Sequence, residues 1–135
     1  MSQEENKALV RRYFENKGDY TIAAEVVTPE HVKDVEQLFI SIHRAFPDFH
    51  ITIEEQIAEG DLVATRFTAS GTHLGEWRSP LGIHPPTGKQ FRHEGIRIFR
   101  IVGGKLTETW GGADTLSQLI QLGILQSHLA SDEEH

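Results

Sequence analysis

The feature that most constrains the fold of this chain is a change in hydrophobic period at Pro47-Asp48. Before it, apolar residues recur every three or four positions, which predicts helical structure in the first third of the chain. After it, apolar and polar residues alternate, which is typical of strands with one buried face. We therefore expect an α+β fold in which helices pack on the concave face of a curled antiparallel sheet, an arrangement that leaves room for a pocket.

The helical part divides into three segments. The first spans residues 4–16 and buries a stripe that includes Tyr13. Asp19 is placed to cap a short second helix. Thr28-Pro29 has the pattern of an N-cap and first helical position, and the third helix that begins there ends before Pro47.

The remaining sequence predicts four strands, a long connection and a closing helix. The first strand is expected to bury Ile51, Ile53 and Ile57. The other elements are strands over 62–73, 90–102 and 105–110, an irregular connection over 74–89, and a helix from Asp114 to Gly123.

Composition narrows the class of protein. The 135 residues fit one domain over 1–135, with a core at about 6–125 and a tail over 126–135 that we expect to be mobile. A net charge of −7 argues against nucleic-acid binding, and the lack of cysteine excludes disulfides, thiolate zinc sites and a cysteine nucleophile. No apolar run approaches the roughly 20 residues of a membrane span. The first residues do not form a secretory signal, so we expect a cytoplasmic location.

Two histidines lie at positions where a polar side chain is unusual. His73 shares strand parity with Phe67, so it is either a hydrogen-bonded core histidine or a cavity group that exchanges a proton near neutral pH. His93 is harder to orient, because Gly95 is a candidate bulge. The buried side chains of this strand are then either those that alternate with His93 or those that alternate with Ile96 and Ile98.

Two carboxylates also leave alternatives open. Glu108 either pairs with Arg97 or Arg100, or lines a wet cavity. Asp114 lies at the start of a helix, where capping the backbone amides would lower its pKa and make it a poor proton carrier. A general base would instead need desolvation beside an apolar side chain such as Trp110. The eight histidines are dispersed without metal-ligand spacing, and no nucleotide fingerprint occurs, so we expect neither a metal nor an organic cofactor.

Several motifs, in their order and spacing, resemble the SnoaL-like polyketide cyclases of the nuclear-transport-factor-two-like superfamily, which also contains ketosteroid isomerases. The resemblance covers about residues 6–125. The motifs are residues 45–49 (AFPDF), 59–66 (EGDLVATR), 71–75 (GTHLG), 86–89 (PTGK), 95–100 (GIRIFR), 104–110 (GKLTETW), Asp114, and 121–123 (QLG).

The resemblance implies a cone-shaped curved sheet around a long helix, a pocket for a small hydrophobic molecule, and a homodimer formed through the sheet. It implies a cofactor-independent reaction, either an intramolecular aldol-type ring closure or a ketosteroid-type isomerisation. Asp114 would be the catalytic acid/base, and His73 and His93 would be pocket histidines. The expected pocket residues are Trp110, Phe99, Glu108, Phe67 and Tyr13.

One segment departs from the family pattern. Relatives usually have a longer stretch between the second helix and the third, whereas here Val27 is followed at once by Thr28-Pro29. Either the rim of the pocket is truncated here or a loop is missing from this sequence. A truncated rim would widen the opening of the pocket and remove ligand contacts.

Two other functions stay open. One is a non-catalytic module that binds a small molecule in the same pocket. The other, ranked third, is an epoxide hydrolase, which would need an Asp-Arg-Asp set to which Asp114 and Arg97 are the available contributors.

Overall fold

A computed structural model describes residues 2–126 of the chain. All of the predicted tail except residue 126 lies outside the described residues. Among the residues described, no helix is both long and apolar enough to cross a membrane.

Three helices form the first third, as the hydrophobic period predicts. They are α1 (Gln3–Phe14), α2 (Ala23–Val26) and α3 (Val32–Ala45). Ser2 and Glu5 form a capping box at the start of α1. Asp19 accepts a hydrogen bond from the Thr21 amide at 3.1 Å, and Pro29 begins a single 3₁₀ turn that continues into α3.

The predicted antiparallel sheet is present. It contains β1 (His50–Glu59), β2 (Leu62–Thr72), β5 (Gln90–Val102) and β6 (Lys105–Ala113), in the order β1-β2-β5-β6. The connection predicted to be irregular contains a small hairpin of β3 (Trp77–Ser79) and β4 (Gly82–His84), closed by a 2.6 Å hydrogen bond between Ser79 and His84. The closing helix is α4 (Thr115–Gln121).

The helices pack against one face of the sheet, which we call the inner face. One core cluster contains Val10, Val26, Val63, Phe99 and Leu106, and a second contains Phe46, Phe67, Ala69, Phe91 and Leu122. Both clusters join through aromatic side chains of α1, since Phe14 contacts the rings of Phe67 and Phe99.

The prediction that Ile57 is buried is wrong, because β1 contains a bulge. Ile53 pairs with Phe67 and Glu55 with Arg66, so Glu54 is an extra residue that reverses the parity of the strand. Ile57 is 70% exposed. Gln56 faces inward instead.

The alternative parity for β5 is also wrong. Residues Phe91, His93, Gly95 and Phe99 face the inner side, whereas Ile96 is 55% exposed. Gly95 forms no bulge, and the pairing of β2 with β5 is unbroken around it. Its role is to leave space: a Cβ there would lie 2.5 Å from Phe67 Cζ and 2.9 Å from the Gly112 carbonyl oxygen.

The short segment between α2 and α3 barely reaches the sheet. Within residues 2–126, its pairing with β6 is one isolated parallel bridge, from Val27 to Leu106. The edge of β6 beyond this bridge is left uncovered by that segment.

Gly95→Ala is expected to lower the free energy of unfolding by about 1–3 kcal/mol, because the added methyl group overlaps the Phe67 ring. Urea denaturation of both proteins measures the difference. Gly112→Ala is the matched control, since a Cβ there meets nothing within 4 Å. Equal losses in the two variants would contradict this account of Gly95.

Candidate functional site

Two neighbouring cavities lie beside the sheet, one on its inner face and one at the edge of β6. The inner cavity, of about 540 Å³, lies between α1, α3, the β3–β4 hairpin and the inner face, and its wall includes Phe14, Phe39, Phe46, Phe67, His93 and Gln118. The side cavity, of about 510 Å³, lies between the segment after α2 and the edge strand β6, and its wall includes Val27, His31, Val35, Leu106, Glu108 and Trp110. Both volumes are in the range of small-molecule sites.

The two cavities share part of their walls. Tyr13, Asp34, Val35 and Thr109 line both. The side cavity opens beside the shortened connection, where a longer segment would cover β6. Whether this segment widens the opening of the pocket stays a prediction.

His93 lies in the wall of the inner cavity and is 8% exposed. Its Nε2 lies 3.2 Å from Gln118 Oε1. An amide oxygen only accepts, so Nε2 carries the proton and Nδ1 has the free lone pair. Nδ1 is buried and has no hydrogen-bond partner among the described residues. Burial lowers the pKa of His93, and hydrogen bonding to Gln118 and the charge of Asp114 oppose that shift.

His73 is fully buried but lines neither cavity. Its Nδ1 accepts a hydrogen bond from the Thr87 amide at 3.2 Å, and its ring packs against Phe46 and Trp77. Burial lowers the pKa of His73, and the carbonyl groups of Gly75 and His84 partly offset this. Its Nε2, like Nδ1 of His93, is buried without a hydrogen-bond partner among the described residues. Because no cavity reaches His73, its position is that of a core histidine.

Asp114 caps α4. Its Oδ1 accepts a hydrogen bond from the Ser117 amide at 3.0 Å, and the side chain is exposed. Its neighbours Ala113 and Thr115 line the inner cavity, but Asp114 itself does not. Asp114 is close enough to His93 for its charge to act on the imidazole.

The five predicted pocket residues are divided between the cavities. Phe67 lines the inner cavity, whereas Phe99, Glu108 and Trp110 line the side cavity, and Tyr13 lines both. Glu108 forms the predicted ion pair, with Arg100 at 3.0 Å. Burial raises the pKa of Tyr13, and the positive charge of Arg97 opposes that shift.

Sequence reasoning missed several polar residues of the inner cavity, among them Asn16, Asp34, His43, Arg78 and Gln118, and it considered Arg97 only as a partner of Glu108 or for the epoxide hydrolase. Gln118 could have been found, because it follows Asp114 by one helical turn. Arg97 shares the parity of His93 and Phe99, and a correct parity for β5 would have placed it on the inner face. No carboxylate of residues 2–126 lies within 4.0 Å of the Arg97 guanidinium. In the same part of the chain, no group of three His, Asp or Glu side chains could hold a metal ion.

The fold is that of an α+β protein whose helices pack on a curved antiparallel sheet, with open cavities between the two layers and at the edge of β6. A family model described as SnoaL-like polyketide cyclase matches residues 5–122. The chain belongs to this family. No curated protein sequence matches it.

Solved structures with the same fold include TsrD from Streptomyces laurentii, with a TM-score of 0.82 and 23% identity over 93% of this chain and 99% of that one. AclR from Streptomyces galilaeus, a proposed hydroxylase, has a TM-score of 0.77 and 26% identity over 99% and 97%. IdmH from Streptomyces antibioticus, a proposed polyketide cyclase, has a TM-score of 0.69 and 26% identity over 87% and 98%.

Acidification is expected to destabilise the protein through its two buried histidines. Because the pKa values of His73 and His93 are lowered in the folded protein, the unfolded chain binds protons more readily. The two neutral histidines contribute to the free energy of unfolding above the pKa of histidine in the unfolded chain, about 6.5. This contribution is lost as the pH falls through the lower pKa of the folded protein. The Tm should therefore fall between about pH 7.5 and about pH 5, and fall less in His93→Gln. His50→Gln, at an exposed position, should keep the wild-type pH dependence. An identical pH dependence in all three proteins would show that His93 is not a source of the effect.

Proposed function

We propose that this protein is a cofactor-independent acid/base enzyme acting on a small hydrophobic carbonyl compound in the inner cavity. A base removes a proton from the carbon next to a carbonyl group, and the enolate carbon forms a bond to a second carbonyl carbon of the same molecule. The alkoxide formed there takes up a proton, so the ring closes without an added reactant. A ketosteroid-type isomerisation uses the same first step and returns the proton to another carbon.

The observation that carries this proposal is the position of His93. It is the one predicted catalytic residue that lines a cavity, and its unprotonated Nδ1 lacks a partner within residues 2–126. Burial keeps the imidazole neutral at neutral pH, because the lowered pKa disfavours the protonated form. A neutral histidine beside apolar walls suits proton exchange with a carbon acid or stabilisation of its enolate.

The role of Asp114 stays a prediction with two versions. As the acid/base itself, its carboxylate would have to leave the Ser117 amide and turn toward the inner cavity. As a charge near His93, it would stabilise the imidazolium formed when His93 accepts a proton. The family resemblance supports the first version, and the cap geometry supports the second.

A non-catalytic binding module is the alternative function. The largely apolar lining of the inner cavity supports it equally well, because an apolar pocket binds ligands without any chemistry. Proton exchange at a bound ligand separates the two functions.

Deuterium uptake at the carbon next to the carbonyl of 1-tetralone tests the proposal. In D₂O near neutral pH, the wild-type protein should accelerate uptake above buffer, measured by mass spectrometry. His93→Gln should reduce the acceleration by about 100-fold, as loss of a general base does. Asp114→Asn should match that loss if Asp114 is the acid/base, and should cause a smaller loss if its carboxylate acts only as a charge near His93. Its Tm should change little, because asparagine is an equally good N-cap.

Asp19→Asn, a cap exchange outside both cavities, is the control for the Asp114 variant. Binding of 1-tetralone without faster uptake by the wild-type protein would contradict the enzyme and favour the binding module.

We also propose that the chain forms a homodimer through the outer face of the sheet. Register places Ile57, Ala64, Ile98 and Trp110 in one row across all four strands on that face. Ile57 is 70% exposed, Ile98 37% and Trp110 44%. A continuous exposed apolar row is typical of a surface that meets a partner.

Ile98→Lys is expected to convert the dimer to a monomer, since it places a charge in the centre of the row. Sedimentation velocity measures the change. Thr52→Lys, on the same face but outside the row, should leave the dimer intact. A wild-type monomer at the highest soluble concentration would overturn the proposal.

A further inference from the structure

Arg97 has no ionic partner in the described part of the chain, which is also true of Arg92 on β5 and of Arg78 on β3. Arg92 and Arg78 are exposed to water, although Arg78 also lines the inner cavity, whereas Arg97 is partly buried. Arg66 pairs with Glu55 and Glu94, and Arg100 pairs with Asp61 and Glu108. The hydrogen bond that Arg97 does make is to Thr109 Oγ1, at a long 3.4 Å. The carboxylate that sequence reasoning offered it, Glu108, is held by Arg100 instead.

The surroundings of Arg97 leave its guanidinium available to an anionic ligand. The side chain is partly buried on the inner face of β5 and lines the inner cavity. Apolar surroundings strengthen electrostatic interactions, and a charge in such a place is normally paired. Asp34 also lines the cavity, but it is exposed to water and lies more than 4.0 Å from the guanidinium.

We propose that Arg97 binds a carboxylate of the ligand, so that the substrate of the inner cavity is a hydrophobic acid and not a neutral ester. The planar guanidinium offers paired donors that match the two oxygens of a carboxylate. Tyr13, whose hydroxyl group is close enough to feel the charge of Arg97, and Thr109 line the same part of the cavity and supply further donors. That the ligand is a substrate rests on the proposed function, whereas the preference of the cavity for an anion does not.

The spacing along β5 relates Arg97, which we call the anchor because it would hold the carboxylate, to His93, the proposed acid/base. His93 and Arg97 lie on the same face four residues apart, which is about 13 Å between Cα atoms in a strand. Between them is Gly95, and the ring of Phe67 occupies the space that its missing side chain leaves. A flat apolar skeleton can therefore lie on Phe67, with its carboxylate at Arg97 and its carbonyl group toward His93.

A matched pair of probes tests the anchor without any turnover. N-phenyl-1-naphthylamine, a neutral fluorophore, reports occupancy of the cavity, and 2-naphthoate and methyl 2-naphthoate compete with it. The wild-type protein should bind naphthoate about tenfold or more tightly than its methyl ester, as a charged hydrogen-bonded pair contributes in a partly buried site. Arg97→Gln should abolish this preference and leave the affinity for the ester and the fluorophore within about twofold.

Arg66→Gln, on the outer face, is the matched control and should keep the preference for naphthoate. Equal affinities for acid and ester in the wild-type protein, no binding of naphthoate, or equal losses for both ligands in Arg97→Gln would overturn the proposal. Failure of the proposed function gives a different result: naphthoate is still preferred, but no deuterium uptake by 1-tetralone is accelerated. Failure of the anchor alone leaves that uptake, and its dependence on His93, unchanged.

Discussion

The unbroken register between β2 and β5 is the constraint on which the rest of the structure depends. Eleven successive pairs, from Leu62 with Arg100 to Thr72 with Gln90, hold the two central strands without a bulge. Every second residue of each strand therefore faces the helices over the full length of the sheet. The contribution of these two strands to the apolar core and to the wall of the inner cavity, including His93 and Arg97, comes from this one set of positions. A shift of one residue would turn all of them outward.

The two buried histidines show how the same side chain takes different roles on one surface. His73 lies at the end of β2, where the loop that contains Thr87 covers it and supplies its hydrogen bonds. His93 lies where the helices leave space, and its one hydrogen bond fixes the tautomer without occupying Nδ1. Desolvation lowers the pKa of both. What separates them is the cavity, which gives a ligand access to one and not to the other.

The sequence predicted the elements and the family well, because period, caps and turn motifs are local properties. The β5 strand agrees residue for residue with its predicted range, and Asp114 caps α4 as its spacing indicated. The facing of side chains was predicted less well. No residue type in β1 predicts the bulge at Glu54. Glycine is required at position 95 because the ring of Phe67, on another strand, occupies the space of a side chain. Likewise, the partner of Glu108 depended on register, which no local pattern specifies.

The bulge at Glu54 also has a consequence for sequence alignment. Residues before it and after it in β1 follow opposite parities, so the strand contains two halves offset by one position. A relative that lacks the bulge has one residue fewer between the same inward positions. An ungapped alignment then matches its core residues to Ile57 and its surface residues to Gln56. At identities near one quarter, such as those with AclR and IdmH, a gap placed at Glu54 decides whether inward-facing residues of β1 are aligned with inward-facing residues of the relative.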